Sequence, residues 1–337
     1  MLRRRLCKLV ALCAAAILAA GSGGARLCAA ATRVHPAYSL PSEGYDVSDV
    51  ALSPTGRWLA VVTAATVRSG SYGAVYAYDV TSGKLLRRFV GGWTMLAAWH
   101  PSRPLLAIAN ELAESETELR VLDMTTGEAR YLNPDGYGGY SHLDWLPDGQ
   151  RVLTEDGYYE SMRGGEPPQV PGLWGLPDLE AITIASDWTV AAERPRPWRL
   201  QLLSRIELYR KKPGALAYSR TAVLWPGKDR SGRATDFRTR PAFLSSGRLG
   251  YVRVFLDRRG QRRRVEVWTC RRDGKDERKW LSLPVIPPQT KYSVATGDPS
   301  LRRYRLSAIS WSRNGGVIAY VYRGRIIVKQ VKPPAAH

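Results

Sequence analysis

The sequence predicts an all-β protein: a six-bladed β-propeller of four-stranded antiparallel blades, preceded by a signal peptide. Three observations carry this reading. A hairpin phrase recurs six times. Further strand-like runs continue most of the recurrences. No convincing helix follows the N-terminal segment.

The recurring phrase is "VALSPTGRWLAVVT" (50–63), "AAWHPSRPLLAIAN" (97–110), "LDWLPDGQRVLTED" (143–156), "ITIASDWTVAAE" (182–193), "PAFLSSGRLGYVRV" (241–254) and "AISWSRNGGVIAYV" (308–321). In each, an apolar run enters a tight turn carrying Pro, Asp, Asn or Gly, the residues that supply the fixed or positive φ a hairpin needs. A second run rich in β-branched and aromatic residues leaves it, which favours strand. Third and fourth strands are then read in "AVYAYDVTSGKLLRRF" (74–89), "ELRVLDMTTGEARYL" (118–132), "IELYRKKPGALAYSRTAVL" (206–224) and "VEVWTCRRDGKDERKWL" (265–281). From Gly56 the turns follow at intervals of 47, 46, 38, 60 and 68 residues, at Arg103, Gly149, Asp187, Gly247 and Gly315. A four-stranded blade takes about 40–45 residues, so the later repeats carry extra loop. A β-sandwich is the alternative, but its strands have no reason to share one turn phrase.

The first residues, "MLRRRLCKLVALCAAAILAAGSGGARLCAAA", are basic, then apolar from Leu9 to Ala20, then small. That is the layout of a secretory signal, with cleavage after Ala25 or Ala31. The apolar run is shorter than the roughly 20 residues of a membrane span. An uncleaved N-terminal anchor is the alternative. The domain reading is therefore a signal peptide at 1–31 and one propeller domain at 32–337, with blades over about 46–332. Of the four cysteines, Cys7 and Cys13 lie in the signal and Cys28 beside its cleavage sites, leaving Cys270 in the folded part. One thiol makes no intramolecular disulfide framework, so the fold rests on apolar burial.

Ring closure is expected from the two ends. The last repeat holds three strands and ends in "KPPAAH", whose prolines cannot donate ladder hydrogen bonds. The segment Ala37–Leu40 has no hairpin partner of its own and is expected to lie beside Ile326–Val331 as the outer strand of the last blade.

"LSPTGRWLAVVT", "WLPDGQRVLT" and "SWSRNGGVIAYV" resemble the W-S-P-D-G-x-x-L-A-[FY] repeats of the TolB-like and WD-repeat-like six-bladed propellers of exported bacterial proteins, over roughly residues 40–332. The same repeats occur in the propellers of prolyl-oligopeptidase-type peptidases. The resemblance implies a periplasmic or secreted propeller. A peptidase of that type needs a Gly-x-Ser-x-Gly elbow in a separate domain, and the sequence has no such pentapeptide.

Other chemistry is sparse. His35, His100, His142 and His337 are scattered without metal-ligand spacing, so no metal and no cofactor is expected. Asp79, Asp123 and Asp273 stand where a turn carboxylate bonds its own backbone. "ELAESETE" (111–118) lacks the Gly-centred pattern of a calcium loop. Trp99, Trp145 and Trp311 hold matching places before the turn, which points to packing between blades. Tyr137 and Tyr140, in a Gly-rich connection, and His142, at the start of an inner strand, are candidate binding residues.

The charge pattern gives the sharper candidate. Residues 1–180 hold 16 Lys+Arg against 19 Asp+Glu, a net of −3, whereas 181–337 hold 34 against 11, a net of +23. "RVFLDRRGQRRRVEVW" (253–268) reads as a hairpin tipped by Arg258, Arg259, Arg262, Arg263 and Arg264, and "RRDGKDERK" adds Arg271 and Arg272 at the next turn. Arginine forks suit phosphates and carboxylates. The reading is a non-enzymatic, monomeric exported propeller that binds a protein or an anionic envelope component: a lipid headgroup, lipopolysaccharide or cell-wall polymer. Export disfavours nucleic acid. A purely solvated basic surface is the competing reading. A second function class is a periplasmic hydrolase or lactonase working at the channel, for which Asp49 and Asp144 are the acidic residues on inner strands.

Overall fold

The computed structural model describes residues 47–63, 73–90, 95–113, 116–137, 143–154, 159–161, 181–194, 204–211, 217–231, 234–285 and 308–334. Among them, six antiparallel sheets follow one another along the chain. Sheet I is β1 (Val47–Leu52), β2 (Trp58–Thr63), β3 (Ala74–Asp79) and β4 (Leu85–Val90); sheet II is β5 (Met95–Trp99), β6 (Leu105–Ala113), β7 (Glu116–Asp123) and β8 (Ala129–Tyr137). Sheet III has three strands, β9 (Asp144–Trp145), β10 (Arg151–Leu153) and β11 (Tyr159–Ser161). Sheet IV is β12 (Ala181–Ile184), β13 (Val190–Arg194), β14 (Arg205–Lys211) and β15 (Tyr218–Leu224). Sheet V is β16 (Asp236–Phe243), β17 (Leu249–Leu256), β18 (Arg262–Cys270) and β19 (Arg278–Leu283). Sheet VI has three strands, β20 (Ile309–Trp311), β21 (Val317–Tyr322) and β22 (Arg325–Gln330). Each sheet is a meander whose strands pair in sequence order, the architecture of a β-propeller.

Sequence alternation explains how the sheets stack. On β2, Leu59 and Val61 pack with Ala319, Ile326 and Val328 of sheet VI, while Ala60 and Val62 pack with Leu106 and Ile108 of sheet II. Successive strand residues point to opposite faces, so one strand serves two cores. The same division continues onward. Ala107 and Val121 meet Trp145; Leu153 meets Val190 and Tyr209; Ile206 and Leu208 meet Tyr251; Val252 and Val265 meet Ile318 and Tyr320. Six apolar clusters join the six sheets pairwise, and sheet VI touches both sheet V and sheet I.

The matching tryptophans gear neighbouring sheets. Trp99 Nε1 donates to the Ala51 carbonyl at 2.8 Å and Trp145 Nε1 to the Ala98 carbonyl at 3.0 Å. Each indole is buried and reaches the inner strand of the preceding sheet. Trp311 keeps the position but not the bond: it lies against Gly250, where a Cβ would sit 3.1 Å from its ring.

Two repeats depart from the turn phrase, and the backbone shows how each copes. In five sheets the fourth turn residue donates to the carbonyl three residues back, as Gly56 does to Ser53 at 2.8 Å. In sheet IV that residue is Trp188, held at φ 61 in the region Gly normally occupies. In sheet II Arg103 takes the place of glycine, and its N–H bonds the His100 ring instead. Sheets III and VI hold three strands among the described residues, not the four expected of every blade. The signal at 1–31 and the closing segment 37–40 lie outside the described residues. No helix among the described residues is long and apolar enough to cross a membrane.

Gly149 and Gly324 both adopt positive φ, 65° and 73°. A Cβ on Gly149 would overlap His100 Nε2, whereas one on Gly324 meets nothing within 4 Å. Gly324→Ala should therefore cost only the conformational penalty of about 1–2 kcal/mol. Gly149→Ala should cost a further ~1–3 kcal/mol from overpacking. Urea melts of the two variants check the difference.

Candidate functional site

The arginine-rich hairpin forms as β17 and β18, with Phe255 opposite Arg264 and a turn at 257–261. Asp257 Oδ1 fixes that turn by accepting from the Arg259 and Gln261 N–H groups, both at 2.8 Å. The seven arginines singled out here divide by partner. Arg258, Arg259 and Arg263 are exposed, and none forms an ion pair among the described residues. Arg262 is half-buried, and burial pushes its guanidinium down to about 10. Arg264 stacks 4.0 Å from the Phe255 ring and pairs with Glu266 at 3.2 Å. Arg271 pairs with Asp273 at 3.0 Å. Arg272 is a clamp between turns of two sheets, reaching Asp187 of sheet IV at 2.5 Å and the Gly247 carbonyl at 2.9 Å. The tip thus offers three guanidinium groups, set on a rigid hairpin.

Tyr137 ends β8, where its backbone pairs with Glu116. Tyr140 and His142 lie outside the described residues. The turn carboxylates bond their own backbones: Asp79 takes the Ser82 N–H at 2.7 Å, Asp123 the Thr125 N–H at 2.7 Å, and Asp273 the Lys275 N–H at 3.0 Å. Those bonds hold Asp79 and Asp123 below the ordinary carboxylate range.

Charged side chains connect sheets around the axis, where the first strands of neighbouring sheets meet. Arg240 of β16 reaches past sheet VI to Asp49 of β1 at 2.8 Å. Arg240 sits at φ 52 in a bulge of β16, and Glu193 of sheet IV holds that bulge. Its carboxylate accepts from the Thr239 hydroxyl at 2.6 Å and the Arg240 N–H at 3.0 Å. Arg313 occupies the turn position where sheets I, II and III have Pro54, Pro101 and Pro147. Its charge acts on Asp144 of sheet III and His100 of sheet II. Burial nonetheless pushes Asp144 up to about 6. Among the described residues no group of three His, Cys, Asp or Glu is placed to hold a metal ion. Asp49, the acidic residue a channel site would start from, is engaged by Arg240.

Sequence reading missed a motif on the third strands. "RIELY" (205–209) and "RVEVW" (264–268) put Arg, Glu and an aromatic on one face at period two. In each, the carboxylate is buried and bonded by both neighbours: Glu207 by Arg205 at 2.6 Å and by the Tyr209 hydroxyl, Glu266 by Arg264 and by Trp268 Nε1 at 2.9 Å. The repetition of R-x-E-x-aromatic was the available signal.

No protein-family model matches the chain, and no curated protein matches it. Among solved structures, the chain is similar to the WD40 repeats of RRP9, with a TM-score of 0.55 and 10% identity over 90% of this chain and 100% of that one. It is also similar to the β-propeller domain of the trilobed protease from Pyrococcus furiosus, with a TM-score of 0.49 and 9% identity over 88% and 97%. The first likeness supports the propeller fold.

His100 gives a pH signature. Its Nδ1 accepts the Ser102 and Arg103 N–H groups at 3.0 and 2.9 Å, so Nε2 carries the hydrogen and donates to the Gly149 carbonyl at 3.0 Å. Burial, then the Arg103 charge, lower its pKa to about 4. The folded state resists protonation, so this contribution is full above the unfolded value near 6.5 and is lost as pH falls toward 4. The stability advantage of wild type over His100→Gln should shrink by about 3 kcal/mol between pH 7 and pH 4. Denaturant melts across that range measure it.

Proposed function

We propose that this chain is a non-enzymatic, six-bladed exported propeller that binds an anionic macromolecular partner through the β17–β18 hairpin. The observation that carries the reading is the contrast within the arginines. Arg264, Arg271 and Arg272 are spent on Glu266, Asp273 and Asp187, while Arg258, Arg259 and Arg263 project to solvent without such partners among the described residues. Three guanidinium groups without ion-pair partners among the described residues, two on the turn and one at the start of β18, raise the local potential and steer an anionic surface toward it. Propellers such as the WD40 repeats of RRP9 share the fold, and a stack of rigid sheets suits a binding scaffold. The partner is an acidic protein face or an anionic envelope component. The ring closes when residues 37–40 pair with β22, leaving one domain over 32–337.

Arg258, Arg259 and Arg263 changed together to Gln should weaken association with anionic envelope extract about tenfold at low salt. The variant should also flatten the fall in binding between about 50 and 300 mM salt. Binding of unchanged strength and salt slope would favour a merely solvated surface. Export has its own test. Mass spectrometry of the secreted or periplasmic protein should find a mature chain beginning near Arg26 or Thr32. An intact Met1–Ala31 would show an anchor instead.

A further inference from the structure

Sheets IV and V build the same third-strand carboxylate cage, but sheet IV overfills it. In sheet V the residue across from Arg264 is Phe255, whose ring seats the guanidinium. In sheet IV the residue across from Arg205 is Arg194, a like charge directly opposite. Arg220 then occupies the place that Lys279 holds in sheet V, each paired with the aromatic of the motif. Like charges facing each other across a strand pair are destabilising. Among the described residues, fully buried Glu207 is the single carboxylate in contact with all three guanidinium groups, at 2.6 Å from Arg205, 3.4 Å from Arg194 and 3.5 Å from Arg220.

The carboxylate cannot satisfy them equally. Arg205 holds Oε1 with both Nε and a terminal nitrogen at 2.6 Å, and the Tyr209 hydroxyl donates to Oε2. Burial pushes the Glu207 carboxyl up, but Tyr209 and Arg205 pull it below its ordinary value, so it is ionised. Arg194 and Arg220 are left at long distance. Each guanidinium carries five N–H donors, and these two are exposed by 25% and 52% at the side chain, so solvent and solutes reach them. The cluster has a residual charge of two positive units. Beside it, half-exposed Trp225 lies 4.9 Å from the Arg205 guanidinium, a stacking contact that fixes the fork in place.

We infer that Arg194, Arg205 and Arg220 form a binding site for a monophosphate dianion, free or as an ester, on the face of sheet IV. A phosphate monoester carries about −1.5 to −2 charges at pH 7 and offers three acceptor oxygens. That matches the residual charge and gives the two loosely held arginines partners that Glu207 cannot. A carboxylate ligand would neutralise half of the excess. The site is separate from the hairpin tip of sheet V and does not rest on the binding assigned to it.

The test is isothermal titration of the full chain with inorganic phosphate, O-phosphoserine and acetate at matched ionic strength. The wild-type protein should bind phosphate saturably. Arg194→Gln and Arg220→Gln should each weaken it about tenfold, the loss expected for one charge-assisted bond. Both variants leave Arg205 and Tyr209 on Glu207, and circular dichroism checks that they fold. The triple Gln variant at Arg258, Arg259 and Arg263 should bind phosphate like wild type. Tighter binding of O-phosphoserine than of phosphate assigns an ester ligand, and equal binding assigns free phosphate. No saturable binding, equal binding of acetate, or affinity unchanged in both sheet IV variants overturns the site.

Discussion

Among the described residues, the middle strands bury apolar side chains on both of their faces, and the rest of the structure depends on that. Leu59 and Val61 belong to one core, Ala60 and Val62 to the next. A sheet taken alone would expose half of its apolar side chains on each face, at about 1.5–3 kcal/mol for each large one. Stability therefore belongs to the stack. Sheet VI, with only three short strands among the described residues, is held between Val252 and Val265 of sheet V and Leu59 and Val61 of sheet I. The tryptophan-to-carbonyl bonds set the angle between neighbours, because an indole N–H finds the preceding inner strand only at one orientation.

Polar groups follow the same logic of shared placement. Buried carboxylates would be costly alone, and Glu118, Glu207 and Glu266 have cationic or hydrogen-bonding partners on their own strand, to which Glu207 and Glu266 add cations of neighbouring strands. Buried Asp236 receives Arg253, and exposed Glu277 receives Arg238 at 3.0 Å and the Tyr251 hydroxyl at 2.5 Å. Arg248 is nearly buried and bonds Asp276 at 2.8 Å. Much of the arginine excess of the second half is thus internal wiring of sheets IV and V. Two groups of arginines among the described residues have fewer carboxylates than guanidinium groups, the tip of β17–β18 and the cage around Glu207. Binding is proposed at both.

The propeller was legible because its signals are local. Turn residues at fixed offsets and period-two apolar runs located the hairpins of all six repeats, and "DVTSGK", "DMTTGE" and "RRDGK" located the next turns with their Asp caps. The matched tryptophans were legible as packing residues for the same reason. Irregular turns were harder. Trp188 at positive φ and the His100 ring standing in for a carbonyl depend on what the neighbouring sheet presses against them, and Gly149 shows this directly. The candidate site was legible only as a run of arginines. Which of Arg258–Arg264 are free depends on strand register, since Arg264 faces Phe255 and Glu266 while Arg263 does not. The sheet IV cage was hidden for a similar reason: Arg194, Arg205 and Arg220 are brought together by pairing β13, β14 and β15.

The six sheets are mutually dependent partners in shared cores. Native-state hydrogen exchange of the middle-strand amides tests this dependence most directly. Amides of β2, β6, β13, β17 and β21 should exchange through one global opening with a common free energy. Separate opening of sheet VI, or a graded series of stabilities around the stack, would show that the sheets are stable independently.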